Sequence, residues 1–235
     1  MQRFSLTAGL LPYEWIFVAG VPLWLGIKLQ KNGWKLFPFL KPKKKIVLYT
    51  FLMTFSLMII IDTLTFWSEN FFPPPPEIKA MLHKLMAVQS TPDAIWRWIL
   101  ICLTPAFCEE IFFRGYFQNT LGRHWGKTTG LILTAVAFTL IHGIPWYWHL
   151  YLILGFFLTW LGLEGRTLWL PILVHLINNS WTFLNHIFGE DKTAQKGTST
   201  DFLVFIIALI VFGVSASRFR QECSCSAKSP PSRRR

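Results

Sequence analysis

Long blocks of apolar residues constrain the fold of this chain more than any other feature. A helix needs roughly 20 predominantly apolar residues to cross the hydrocarbon core of a membrane. About seven stretches approach that length, namely residues 10–29, 46–67, 98–118, 128–144, 148–164, 167–188 and 201–217. Only 15% of the residues are charged, against about a quarter in an ordinary soluble domain. The sequence therefore predicts an all-α, polytopic transmembrane helical bundle with about seven spans.

Composition divides the chain into three regions. Residues 1–97 hold two spans, a basic loop over 31–45 and a run of four prolines from Pro73 that predicts a stiff, extended connector before a short interfacial helix over 77–97. Residues 98–188 hold four spans and most of the polar residues found inside spans. Residues 189–235 hold the last span and a basic tail from Arg218, which is predicted to be disordered.

The net charge of +11 does not indicate a nucleic-acid partner, because the basic residues lie between and after the apolar blocks. With the N-terminus outside, 16 of the 23 Lys and Arg residues fall on the inner side. Cytoplasmic loops carry such an excess, and they face anionic lipids. The sequence therefore predicts an integral membrane protein with a cytoplasmic C-terminus, with membrane lipids as partners and no nucleic acid.

Ionisable residues inside the third predicted span require an explanation, because each costs several kcal/mol in hydrocarbon. Glu109, Glu110 and Arg114 lie near its middle. Glu110 and Arg114 are four residues apart, so they share a helix face and can form an ion pair. A purely structural ion pair would account for these two but would leave Glu109 without compensation. We therefore predict that Arg114 holds Glu110, and that Glu109 is free for chemistry.

Two further spans carry polar residues. The fourth ends at His142, which on its own is equally explained as an interfacial histidine, and the sixth carries His175, Asn178 and Asn179. His175 and Asn179 share a helix face, although hydrogen bonding between helices is an alternative role for the asparagines. Weaker signals are Glu14, His149 and His186, together with Asp62, for which a helix contact is expected.

If the three spans face one another, the cluster suits hydrolysis. Glu109 would act as general base on a water, and His142 would orient that water and later protonate the leaving amine. His175 and Asn179 would donate hydrogen bonds to the oxyanion of the tetrahedral intermediate. A zinc ion held by Glu109, His142 and His175 is the alternative way to activate the water. The sequence requires no cofactor, and zinc is the one cofactor that these residues could bind.

The three motifs together resemble the CAAX-protease and bacteriocin-processing family of intramembrane endopeptidases, also called the Abi family. The motifs are Glu109-Glu110-x-x-x-Arg114, Phe138-x-x-x-His142 and His175-x-x-x-Asn179, and the resemblance covers residues 98–188. It implies a conical core of motif-bearing helices around a protease site. It also implies that Glu109 and His142 activate water, that His175 and Asn179 form the oxyanion site, and that Glu110 and Arg114 support them. Family members are described both as glutamic and as metal-dependent proteases.

This resemblance implies a membrane-proximal or lipidated protein or peptide as the substrate, and the short chain favours a prokaryotic cytoplasmic membrane. Two other functions remain open on the sequence alone. The buried acid, base and histidines could form an ion or proton pathway in a transporter. The same cavity could also bind a peptide without cutting it, as in a scaffold or immunity protein.

Overall fold

The computed structural model describes residues 9–29, 33–188 and 199–228, which form eight helices and no strand. Short 3-10 turns occur at Gly33–Leu36 and Pro145–Tyr147. The helices are α1 (Gly9–Leu29), α2 (Lys44–Phe71), α3 (Pro76–Met86), α4 (91–125), α5 (Lys127–Ile141), α6 (Trp148–Gly165), α7 (Trp169–Phe188) and α8 (Ser199–Lys228).

Proline and glycine mark several helix ends. The proline run that follows α2 is not helical until Pro76, because a residue before proline avoids the helical conformation. Pro76 opens α3, where its missing N–H leaves no helical hydrogen bond unmade. Gly126 after α4 and Gly143 after α5 have φ values of 88° and 64°, which glycine adopts without steric cost.

Four helical segments are long and apolar enough to cross a membrane, which are Gly9–Leu29, Lys44–Phe71, Pro145–Gly165 and Asp201–Ser226. They correspond to the first, second, fifth and seventh predicted spans. α5 is apolar but shorter, and α4 and α7 are helical where the third and sixth spans were predicted. The polytopic transmembrane helical fold is therefore confirmed, whereas the number of seven spans stays a prediction.

The helices pack around a main apolar core, beside which Leu36, Phe37, Leu168 and Ile172 form a smaller cluster. α2 lies along α8, α5 lies between α6 and the C-terminal part of α4, and α1 crosses the middle of α4. α7 packs against α2, α4 and α6. The core is built of side chains from six helices, among them Met53, Phe113, Phe138, Leu158, Val174 and Phe219. The polar cluster of α4 and α7 is thereby enclosed by apolar helices.

The prediction of a disordered tail from Arg218 is wrong for residues 218–228, because α8 continues to Lys228. Phe219 is fully buried, and its ring centroid lies 5.2 Å from that of Trp160 on α6. Arg220 also forms an ion pair with Glu164, with 3.6 Å between nitrogen and oxygen. These contacts with α6 hold the extra turns in place. The rest of the predicted tail, residues 229–235, lies outside the described residues.

The predicted interfacial helix over 77–97 is also divided differently. α3 ends at Met86, and α4 begins at Thr91. The hydroxyl of Ser90 accepts a hydrogen bond from the backbone N–H of Asp93 over 3.4 Å, which is the usual cap of a helix N-terminus. The sequence from Thr91 onward therefore starts the helix that carries the first motif.

Candidate active site

The winding of α4 changes on both sides of the first motif. The α-helical segment Thr104–Glu110 lies between π-helical turns at Ile99–Leu103 and Ile111–Phe117. Pro105 has no N–H and cannot donate to the carbonyl of Ile101 four residues earlier. That carbonyl instead accepts a hydrogen bond from Asn179 Nδ2 on α7 over 3.4 Å. The irregular winding thus joins the first motif helix to the third.

Glu110 lies at the centre of the polar cluster. Its Oε1 atom is 2.7 Å from Arg114 Nη1 and 2.8 Å from His175 Nδ1. The side chains of Glu110 and Arg114 have no exposed surface. A carboxylate that pairs with arginine accepts hydrogen bonds, so His175 donates through Nδ1, and its Nε2 carries the lone pair in the neutral ring. One carboxylate oxygen therefore links the first and third motifs.

Arg114 also contacts the two helices on its other side. Its Nη2 atom donates to the carbonyl of Gly155 on α6 over 3.3 Å, and its guanidinium carbon lies 4.5 Å from the ring centroid of Phe138 on α5. A cation over an aromatic face is attracted by the ring quadrupole. Arg114 therefore connects α4, α5 and α6 at the level of the cluster.

Glu109 takes no part in the ion pair of Glu110 with Arg114. Its Oε2 atom is buried and has no hydrogen-bond partner among the described residues. The carboxylate is close enough to His175, Glu14 and Arg114 to interact electrostatically with them. A buried carboxylate oxygen without a protein donor is costly. Glu109 is therefore placed to accept a hydrogen bond from a bound molecule.

His142 follows the last residue of α5 and is held from three sides. Its Nδ1 atom is 2.7 Å from the carbonyl oxygen of Phe138, and its ring lies 4.7 Å from the Phe138 ring, centroid to centroid. On the other side it stacks on Tyr151 of α6, with 4.0 Å between centroids and 26° between planes. Because a carbonyl only accepts, Nδ1 carries the proton, and Nε2 is left as an acceptor.

The two asparagines of α7 have different partners. Asn178 Nδ2 donates to Asn179 Oδ1 over 3.3 Å, and Asn179 Nδ2 donates to Ile101. An amide group has two N–H donors, so Asn179 keeps one for a ligand. The next residue, Ser180, accepts a hydrogen bond from Trp98 Nε1 over 2.8 Å.

The predicted alternative is a zinc ion held by Glu109, His142 and His175. Within residues 9–29, 33–188 and 199–228, no three His, Cys, Asp or Glu side chains lie close enough together to hold one metal ion. Nδ1 of His142 and Nδ1 of His175 each bond a protein oxygen, which leaves the two Nε2 atoms as the nitrogens able to bind a metal. Because Glu109, His142 and His175 are not grouped closely enough among the described residues, they do not form the ligand set of one ion.

Two residues near the cluster were not predicted from the sequence. Tyr151 stacks on His142 and is close enough to Glu109 to interact with it electrostatically, but an aromatic residue in an apolar span carries no distinguishing signal. Gly155 provides the carbonyl that Arg114 binds. Asp62, by contrast, accepts a hydrogen bond from Trp181 Nε1 over 3.0 Å, which confirms its expected role as a contact between helices.

Comparison with known proteins supports a relationship for the segment that carries the site. The family model described as "Rce1-like: Type II CAAX prenyl endopeptidase Rce1-like" matches residues 91–181, which is less than half of the chain and contains all three motifs. No curated protein and no solved structure matches the chain. Over residues 91–181, the resemblance to the CAAX-protease family that the three motifs predicted is therefore confirmed.

Proposed function

We propose that this chain is an intramembrane endopeptidase that hydrolyses a peptide bond of a membrane-proximal or lipidated protein or peptide. One observation carries the proposal: the segment that matches type II CAAX prenyl endopeptidases is the segment that builds the buried cluster. Within it, Glu109 and Glu110 each have a buried Oε2 that no described protein donor satisfies, but Glu110 is held through Oε1 by Arg114 and His175, which leaves Glu109 as the carboxylate available for chemistry. A buried, unsatisfied acceptor is a poor structural element and a suitable general base.

Glu109 and His142 would carry the proton transfers. Glu109 takes a proton from a water, whose oxygen attacks the carbonyl carbon of the substrate. The lone pair on Nε2 of His142 can help to orient that water and can then pass a proton to the leaving amine. The hydrogen bond from Nδ1 to Phe138 and the stacking on Tyr151 would hold this nitrogen in place.

His175 and Asn179 would stabilise the oxyanion. Asn179 has one side-chain N–H available whether His175 is neutral or protonated. His175 can donate from Nε2 only as an imidazolium, because its Nδ1 proton is directed at Glu110. Removing one donor from an oxyanion site typically costs about 10²–10³ in kcat. Glu110 and Arg114 would support both groups without taking part in proton transfer.

A mainly apolar groove, whose lining includes none of the residues of the polar cluster, supports a substrate that is lipidated or lies at the membrane. It has a volume of about 580 Å³ and lies between the start of α4 and the end of α7. Trp98 lines it and donates to Ser180, which follows Asn179 in sequence. Other lining residues are Val88, Ala94, Ile95, Phe183, Leu184 and Ile187. Such a surface would accept an apolar chain, and Gln89, Ser90 and Thr91 add polar groups to its lining.

The proposed location is a prokaryotic cytoplasmic membrane, with the N-terminus outside and the C-terminus inside. The orientation is supported by the excess of Lys and Arg on one side of the predicted spans. Reporter domains fused to each end, one active only outside the cytoplasm and one only inside, would test this orientation. The proposed orientation would be wrong if the outside-active reporter worked at the C-terminus and the inside-active reporter worked at the N-terminus.

The proposed activity is tested by incubating the purified wild-type protein and Glu109→Gln with membrane-proximal and lipidated peptides in detergent. Glu164→Gln is a matched control, because Glu164 pairs with Arg220 away from the cluster. We expect wild type and Glu164→Gln to cleave, and Glu109→Gln to lose about 10²–10⁴ in rate while staying folded. Equal cleavage by Glu109→Gln, or no cleavage of any peptide by wild type, would contradict the proposal.

Metal content is measured on the same samples. Because the described donors do not converge on one point, we expect cleavage to survive a zinc chelator. Stoichiometric zinc in active protein, lost together with activity on chelation, would instead show that zinc activates the water. That result would leave the protease proposal intact and replace the glutamate-based mechanism.

A further inference from the structure

Glu14 is the only acidic residue of α1, a helix otherwise apolar enough to cross a membrane. An acid in such a helix is expensive and commonly functional. It lies in the π-helical stretch Tyr13–Gly20, and π-helical turns occur often at functional sites. The matched family segment begins only at residue 91, so the comparison assigns Glu14 no role.

The packing of α1 brings Glu14 to the polar cluster. α1 crosses the segment Thr104–Glu110 of α4, and the carboxylate of Glu14 is close enough to Glu109 and His175 to interact electrostatically with both. Glu14 Oε2 is buried and, among the described residues, has no hydrogen-bond partner. Two carboxylates from contacting helices therefore lie close enough to interact, each with a buried oxygen that has no described donor.

Other acids within the helices show what a structural contact requires. Asp62 accepts from Trp181, and Glu69 accepts from Tyr147 over 2.6 Å and pairs with Lys79 over 3.0 Å. Each of these links has a donor on another element. Oε2 of Glu14 has no such donor in the described part of the chain, so a contact between helices does not account for this buried oxygen.

We propose that Glu14 is a second water-positioning carboxylate of the site, an inference that rests on the proposed protease function. A water has two O–H donors and can satisfy Glu14 and Glu109 at the same time. In this arrangement Nε2 of His142 accepts no hydrogen bond from that water and acts only in the later proton transfer. Holding both hydrogens fixes the direction of the oxygen lone pair toward the substrate carbonyl. Such orientation has large effects on rate, since a misplacement of 1 Å can cost about 100-fold.

The step is balanced without another reactant. One water proton goes to Glu109 as the oxygen bonds to the carbonyl carbon, and the second O–H stays on the tetrahedral intermediate, hydrogen-bonded to Glu14. When the C–N bond breaks, the proton held by Glu109 passes through His142 Nε2 to the leaving amine. The products are a carboxylic acid and an amine, and Glu14 is unchanged.

Glu14→Met separates this role from a structural one. It replaces an unsatisfied buried acceptor by an apolar chain of similar length, which removes a desolvation cost. We expect a higher thermal midpoint than wild type, with kcat about 100-fold lower and KM changed little. Glu14→Gln keeps a carbonyl acceptor, and its kcat should lie between those of wild type and Glu14→Met. Phe17→Leu, at an exposed position of the same helix, should match wild type.

The outcomes are read on purified protein in detergent with a peptide that wild type cleaves. Unchanged kcat in Glu14→Met, or loss of folding in both Glu14 variants, would overturn the role of Glu14 and leave the protease proposal standing. If wild type cleaves no peptide, the proposed function fails and this inference fails with it. The predicted pattern is higher stability, lower kcat and partial rescue by glutamine.

Discussion

His175 Nδ1 lies 2.8 Å from Glu110 Oε1, the same oxygen that accepts from Arg114 at 2.7 Å. The ion pair between neighbours on one helix is therefore a three-part link between α4 and α7. It also orients the His175 ring, because the nitrogen bound to Glu110 must be the donor. Glu109, one residue earlier, is left outside this link with its own buried oxygen unsatisfied among the described residues.

Arg114→Met should destabilise the protein by about 3–5 kcal/mol, because it leaves the fully buried Glu110 without its cation. Thermal unfolding in detergent would measure the loss. The double variant Glu110→Leu with Arg114→Met should recover part of it, since no unpaired buried charge then remains. Glu109→Gln is the matched comparison and should change stability little. Equal stability of Arg114→Met and wild type would show that the pair is not structural.

Sequence spacing predicted the ion pair of Glu110 with Arg114, because the 3.6-residue period fixes which side chains share a face. Asp62 was expected to contact another helix because it is an acid within an apolar stretch, and it does so through Trp181. Sequence spacing could not predict that His175 binds Glu110 instead of Glu109, since this depends on how α7 is rotated against α4. The approach of Glu14 depends likewise on the crossing of α1 over α4. Helix termini were less predictable for the same reason: α8 extends to Lys228 through contacts with α6 that the basic sequence does not indicate.

Asn179→Ala should lower kcat by about 10²–10³ if Asn179 donates to the oxyanion. Its other hydrogen bond, to Ile101, is long at 3.4 Å, so the stability cost should be about 1 kcal/mol or less. Asn178→Ala is the control on the same helix, because Asn178 donates only to the Asn179 side chain over 3.3 Å. Steady-state kinetics would measure kcat of both variants. A greater loss of kcat in Asn178→Ala than in Asn179→Ala would argue against Asn179 as the oxyanion donor.

Tyr151 can be tested for a role in positioning His142. Tyr151→Phe keeps the ring that stacks on His142 at 4.0 Å, so we expect activity within a few-fold of wild type. Tyr151→Leu removes a contact worth about 0.5–1.5 kcal/mol, which corresponds to a loss of up to about tenfold in kcat/KM. A large loss in Tyr151→Phe would instead assign the function to the hydroxyl group, which lies on the side of Glu109.

Gly155→Ala should destabilise the protein because α5 and α6 approach closely at this point. A Cβ there would lie 3.1 Å from a Phe138 ring carbon and 3.2 Å from the carbonyl oxygen of Ala135. Overpacking of this kind costs typically about 1–3 kcal/mol, and displacing Phe138 would also disturb His142, which is bound to its carbonyl. Gly213→Ala on α8 is the matched control, because an added Cβ there meets no described atom within 4 Å. Thermal unfolding and cleavage should therefore both fall in Gly155→Ala and stay near wild type in Gly213→Ala, whereas equal behaviour of the two variants would contradict the close packing of α5 on α6.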